Sequence, residues 1–184
     1  MTVLAWHLTD DTLGDGRPIP PVGEWLVHEG EIRICRRGLH ASRLLIDALL
    51  YAPGLTLHRV ECADVVEEQE DKLVCRRRRI LSTYQIDREK VTKLAIECAC
   101  LTDWFASLPP PSNDTAAAAW GAAYATASYT RYEACYWCAR AARFACEAAR
   151  DHRVKGTCGS MPASRAERRL IEARAVQLLT GGES

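Results

Sequence analysis

The sequence predicts an α+β protein, with a small N-terminal β-sheet and flanking helices followed by an α-helical C-terminal module. Three observations carry this. Short apolar runs bounded by turn residues crowd the first half, and the composition shifts abruptly at Pro109-Pro110-Pro111-Ser112-Asn113-Asp114. Beyond that point the chain is rich in alanine and aromatics and meets no proline until Pro162. The expected organisation is an α+β domain over 1–108, a Pro-rich linker over 109–115 and a helical module over 116–180.

Val3 to Leu8 reads as a strand, and Asp10-Asp11 with Gly14-Asp15-Gly16 supply its turn. Trp25 to His28 and Ile32 to Cys35 flank Glu29-Gly30-Glu31, which predicts a hairpin of two short strands. Ser42 is placed to cap a short helix, Leu44 to Ala52, in which Leu45, Ala48, Leu49 and Ala52 repeat at helical spacing before Pro53-Gly54 stops it. Leu55 to Cys62 and Lys72 to Leu81 read as strands, and Ile86 to Trp104 as a helix.

In the second half, Asp114 or Thr115 is the expected N-cap of a helix reaching to around Asp151, about 55 Å long at ~1.5 Å per residue. A helix of that length calls for a partner helix, a break or a second copy to lie against. Trp120, Tyr124, Tyr132, Tyr136 and Phe144 recur at multiples of four, a spacing that walks round the helix instead of staying on one face. Tyr124, Cys135, Cys138, Ala142 and Cys146 do share one sector and predict a close-packing seam. Ser164-Arg165-Ala166-Glu167 reads as a capping box for a last helix with Ile171, Ala175, Leu178 and Leu179 on one face.

Composition excludes several classes of function. The 24 Lys and Arg balance 24 Asp and Glu, so there is no standing positive field for nucleic acid. That neutrality conceals a mild dipole, with 14 basic against 17 acidic residues up to position 108 and 10 against 7 after it. No apolar run approaches the roughly 20 residues a membrane span needs. Nine cysteines cannot all pair within one chain. With Met1-Thr2-Val3-Leu4-Ala5-Trp6 lacking the features of a secretory leader, a reducing bacterial cytosol is the expected compartment and buried free thiols the expected role.

The stretch from Glu29 to Ser42, containing Gly38-Leu39-His40-Ala41-Ser42, resembles an uncharacterised family found in phages and prophages of actinobacteria. So do Asp47 to Gly54, Trp6-His7-Leu8, Asp15 to Pro20 and Asp71 to Val74. Members continue into an alanine-rich helical tail with a four-residue rhythm, as this chain does. The resemblance implies a small, non-essential phage accessory protein acting in the host cytoplasm; beside it, the leading expectation is a non-enzymatic protein that binds a host macromolecule, such as a host protein, or a small nucleotide to blunt a host defence, with no cofactor. In this chain Tyr, Trp and Cys replace many of the tail's usual residues.

Several residue sets carry candidate chemistry. The Gly-Leu-His-Ala-Ser strand followed by a short helix ending Tyr51-Ala52 is loosely similar to the NAD-binding core of ADP-ribosyltransferases. That similarity implies His7 or His40 on the nicotinamide ribose, Tyr51 stacked on the nicotinamide ring and Glu61 polarising the ribose. Cys35 and His40, five apart around Gly38, could form a thiolate–imidazole pair, against the plainer reading of Cys35 as core and Gly38 as a positive-φ junction. Arg76-Arg77-Arg78-Arg79 reads as a solvated edge strand neutralised by Glu67 to Asp71, or as a phosphate fork through Arg77 or Arg79. The aromatics Trp120, Tyr124, Tyr132 and Tyr136 are candidate partner contacts, through which the module could form a homo-oligomer. Cys135, Cys138, His152 and Cys158 could be drawn as a zinc site, although a helical Cys-x-x-Cys pair favours packing.

Overall fold

The computed structural model describes residues 1–107, 121–122, 125, 133–144 and 163–182. Its packing divides the chain into two units, Met1–Ile86 and Asp87–Ser184.

The first unit is a five-stranded antiparallel sheet, formed by β1 (Thr2–Thr9), β2 (Trp25–Val27), β3 (Leu39–Ala41), β4 (Thr56–Glu68) and β5 (Leu73–Gln85). The order runs β1, β4, β5, and the outer edge of β5 is shared by β2 at Arg77–Arg79 and β3 at Leu73–Cys75. The expected strand at Ile32 to Cys35 does not form. That segment is a tight turn in which Arg33 accepts from the Arg37 N–H at 2.8 Å, and β2 pairs with β5 instead.

Ser42 follows β3 directly and exchanges two backbone hydrogen bonds with Trp6, at 2.7 and 2.9 Å, which returns the strand circuit from β3 to β1. Ser42 is not the cap the sequence predicts, because the helix begins two residues later, with Leu44 at the N-cap position. The helix α1 (Leu45–Ala48) starts after Leu44 with no side-chain cap and tightens into a 3-10 turn over Leu49–Tyr51. Leu45, Ile46 and Leu49 are buried, and α1 packs on β1.

β4 and β5 form one long hairpin with two register shifts. Between Arg59 and Val60 the partner jumps from Ser82 to Ile80, so Leu81 is an extra residue on β5. A strand's side chains alternate faces, and one extra residue reverses that alternation. His58 faces Thr83 on the inner side, yet beyond the bulge it is Ile80 and Arg78 that turn inward with Val60 and Cys62. Ala5, Leu39, Ala41, Val60, Cys62, Leu73, Cys75 and Ile80 make the resulting core. β5 is therefore not an edge strand, since β4 covers one side and β2 and β3 the other.

Asp87 opens the second unit by accepting the Lys90 N–H on Oδ1 at 2.7 Å, which caps α2 (Arg88–Ser107). The sequence reading groups this helix with the N-terminal domain, whereas its packing against α3 (Ala163–Thr180) places it in the second unit. Arg174 of α3 forms a two-pronged pair with Glu97 of α2 at 2.7 and 2.8 Å, beside buried Leu94, Ile171 and Ala175. In the helical stretch 133–144, Cys135, Cys138 and Ala142 are buried together, on the sector the wheel predicts. The linker 109–115 lies outside the described residues. Among the described residues no helix is long and apolar enough to cross a membrane.

Candidate ligand-binding site

The mouth of the sheet carries two adjoining cavities. One, of about 410 Å³, is walled by Trp6, His7, Cys35, His40, Tyr51 and Lys72 over an apolar floor that includes Leu8, Ala41 and Ala48. The other, of about 400 Å³, shares His7, Arg36 and His40 and adds Arg17, Arg37 and Arg78. β1 supplies His7, β3 supplies His40, and the end of the 3-10 turn supplies Tyr51.

Gly38 shapes this region. Its φ of 114° is closed to most side chains, and a Cβ there would sit 2.6 Å from Val74 Cγ2. The turn it allows brings Cys35 back so that its N–H donates to His40 Nε2 at 3.0 Å. An accepting Nε2 carries no proton, so His40 is neutral with its proton on Nδ1. Burial, then the Arg78 charge, lowers its pKa, and a hydrogen bond with the Gly38 backbone partly counters this. Cys35 itself is exposed with φ 64°, so it is not a core residue, and its contact with His40 runs through its backbone and not its thiol.

His7 is held neutral more strongly, by burial first and then by the Arg78 charge, and its closeness to His58 and His40 acts in the same direction, since two neighbouring rings do not protonate together. His58 is buried with both ring nitrogens engaged, Nε2 lying 2.9 Å from Thr9 Oγ1 and Nδ1 2.9 Å from Thr83 Oγ1. Burial, with Arg78 adding, brings its pKa to about 4. Tyr51 donates its hydroxyl to Asp71 at 2.7 Å, and Lys72 lies over its ring at 4.7 Å. Burial and this hydrogen bond raise the phenol.

Of the residues singled out for NAD chemistry, His7, His40 and Tyr51 line the same cleft. Glu61 does not. It alternates to the outer face of β4, where Arg79 donates to it from Nε at 2.7 Å and a hydrogen bond with Thr2 helps hold its carboxyl below the usual range. Arg77 is likewise engaged, with Asp64 at 2.7 Å, and both arginines flank the Trp25 ring at 5.3 and 4.8 Å. Glu61 and Asp64, not the acidic run 67–71, neutralise these two. Within that run, Glu68 pairs with Arg43.

The arginine that reaches the cavities is Arg78, which lies between the Arg77 and Arg79 that the sequence points to. It is 6% exposed, and burial lowers its pKa. Its Nη1 donates to the His40 carbonyl, and among the described residues it has no carboxylate partner. Alternation along the Arg-rich strand was the available signal, but it could not choose between Arg78 and its neighbours without the bulge at Leu81.

Trp120, Tyr124, Tyr132, His152 and Cys158 lie outside the described residues. Tyr136 is exposed and meets the Trp137 ring edge-on at 5.3 Å. Cys135 and Cys138 are buried on one helix, where burial pushes the Cys135 thiol up to about 12 and the Cys138 thiol well above its ordinary value. Among the described residues no group of three or more His, Cys, Asp or Glu could hold a metal ion.

The fold and its mouth define an antiparallel α+β domain with a histidine- and arginine-lined double cavity. Residues 3–93 match a family model described as a domain of unknown function, DUF7666, which covers the sheet unit except its first two residues, together with the start of α2. No curated protein and no solved structure matches the chain.

Proposed function

We propose that the N-terminal unit is a binding module for a small nucleotide, taken up in the cleft between β1, β3 and Tyr51. The observation that carries this is the convergence of His7, His40 and Tyr51, from three separate elements, on one cleft of about 410 Å³. That size falls within the range of about 300–1,000 Å³ that small-molecule sites occupy, and an apolar floor with a few placed polar groups suits a heteroaromatic base. Neutral imidazoles add directional hydrogen bonding without repelling a polar ring. The resemblance to phage accessory proteins suggests the host nucleotide pool as the source.

A second reading, transfer of ADP-ribose from NAD, is favoured by the same three residues. It needs a carboxylate near the ribose, and among the described residues the cleft wall holds no Asp or Glu while Glu61 is committed to Arg79 on the outer face. Binding without transfer is therefore the stronger reading. Calorimetric titration with adenosine, AMP and NAD tests it: saturable binding weakened at least fivefold in Tyr51→Ala is expected, and no binding of any of the three would overturn it. Label passing from labelled NAD to host lysate proteins would move the assignment to the transferase.

A further inference from the structure

We infer that the second cavity is an anion subsite built around Arg78, and that it takes the phosphoryl end of a ligand. The joint occupancy of both cavities rests on the nucleotide reading above, whereas the subsite itself rests on separate observations.

The first is the state of Arg78. A guanidinium keeps its charge inside a protein and carries five N–H donors, yet among the described residues only one donor has a partner, the His40 carbonyl. Burying an ion away from water without a counter-charge is costly, and an anion in the cavity that Arg78 lines would offset that cost. No carboxylate among the described residues offsets it from within. His7, His40 and His58, which face it, are all held neutral; of the two buried cysteines beside it, Cys62 is pushed up, while Cys75, whose Sγ donates to the Leu39 carbonyl at 3.3 Å, is lowered by its hydrogen bond with Cys62 and by the Arg78 charge itself.

The second observation is the rest of the wall. The turn at 33–37, fixed by two backbone hydrogen bonds to the Arg33 carbonyl at 3.0 and 2.8 Å, places Arg36 and Arg37 on the same cavity. Neither side chain has an ion-pair partner among the described residues. Arg17, also on the wall, is already matched by Asp15 at 2.7 and 2.9 Å. Among the described residues, three arginines, Arg36, Arg37 and Arg78, thus remain without a carboxylate partner around one cavity of about 400 Å³. A single carboxylate would leave most of that charge unmet, whereas a phosphate or diphosphate supplies two or more charges and several acceptor oxygens, which arginine forks match in pairs. Because His7, Arg36 and His40 line both cavities, a nucleotide could seat its base in one and its phosphates in the other.

The test is titration of inorganic pyrophosphate, ADP and adenosine at constant ionic strength into the full chain and into Arg37→Glu. Arg37 lines only the anion cavity and is exposed, so this variant avoids the folding risk of Arg78→Met, which is examined in parallel by circular dichroism. Saturable pyrophosphate binding, weakened at least tenfold in Arg37→Glu, with ADP at least tenfold tighter than adenosine in the parent chain, is expected. Pyrophosphate that fails to bind, or binds Arg37→Glu equally well, overturns the subsite. Pyrophosphate binding without adenosine binding upholds the subsite and removes the base from the cleft. Adenosine binding with no gain for ADP does the reverse.

Discussion

Arg78 donates a hydrogen bond from Nη1 to the backbone carbonyl of His40, tying the inner face of β5 to β3 at the place where the two cavities meet. Its charge also reaches the rings of His7, His40 and His58 and lowers the pKa of each. In Arg78→Met that charge is gone, so all three histidines should titrate at higher pH than in the parent chain. Histidine ring-proton titrations by NMR check this, and unchanged midpoints would show that Arg78 does not govern the site electrostatically.

The same histidines set how stability responds to acid. His58 titrates near pH 4 in the fold against 6.5 for the free side chain, so the unfolded chain binds a proton that the folded chain refuses. The associated stability is fully present above about pH 6.5 and is lost as pH falls towards 4, on the order of 3 kcal/mol across the window. His7 and His40, also depressed, act in the same direction. Urea midpoints should therefore fall steadily over this interval, and His58→Gln should flatten the profile. A midpoint independent of pH between 6.5 and 4 would contradict the buried neutral imidazoles.

Gly38 is sterically enforced in a way that Gly14 is not. A Cβ at Gly38 meets Val74 Cγ2 at 2.6 Å and Ile32 Cγ2 at 3.0 Å on a backbone with φ 114°, whereas one at Gly14 meets nothing within 4 Å. Overpacking and left-handed strain together cost about 3 kcal/mol, so Gly38→Ala should unfold at markedly lower denaturant while Gly14→Ala stays close to the parent. Equal midpoints for the two variants would show that the 35–40 turn is looser than described.

Cysteine accessibility gives an independent view of the cleft. Cys35 and Cys100 are exposed, while Cys62, Cys75, Cys98, Cys135 and Cys138 are buried. Brief alkylation of the native chain followed by peptide mass mapping should label Cys35 and Cys100 ahead of those five. Cys35 lines the cleft, so saturating nucleotide should slow its labelling and leave Cys100 unaffected. Equal rates at Cys35 with and without nucleotide would place the ligand elsewhere.

Much of the architecture could be read from the residues alone, because strand alternation and helical spacing report burial directly. β1, β4, β5, α2 and α3 all fall where the apolar pattern puts them, and Ile171, Ala175 and Leu179 are the buried face of α3. What escaped depends on long-range pairing. Glu29-Gly30-Glu31 looks like hairpin punctuation, but β2 finds a better partner in β5, 50 residues on. Ser42 has the chemistry of a cap, yet its pairing with Trp6 extends the sheet as far as Ser42 and the helix starts only after Leu44. The hardest case is the arginine run: counting by twos from Thr83 points Arg79 and Arg77 inward, and only the extra residue at Leu81 exchanges them for Arg78. His7, His40 and Tyr51 are legible through the local Gly-Leu-His-Ala-Ser pattern and the short helix after it, and Glu61 parts from them because its strand alternation turns it outward.

The most direct measurement is an NMR titration of the histidine ring protons with ADP. His7 and His40 line both cavities, whereas His58 is enclosed by Thr9 and Thr83. Saturable movement of the His7 and His40 resonances with one shared midpoint, and a smaller response at His58, is the expected result. Ring protons of His7 and His40 that stay fixed through saturating ADP would contradict a nucleotide in this double cavity.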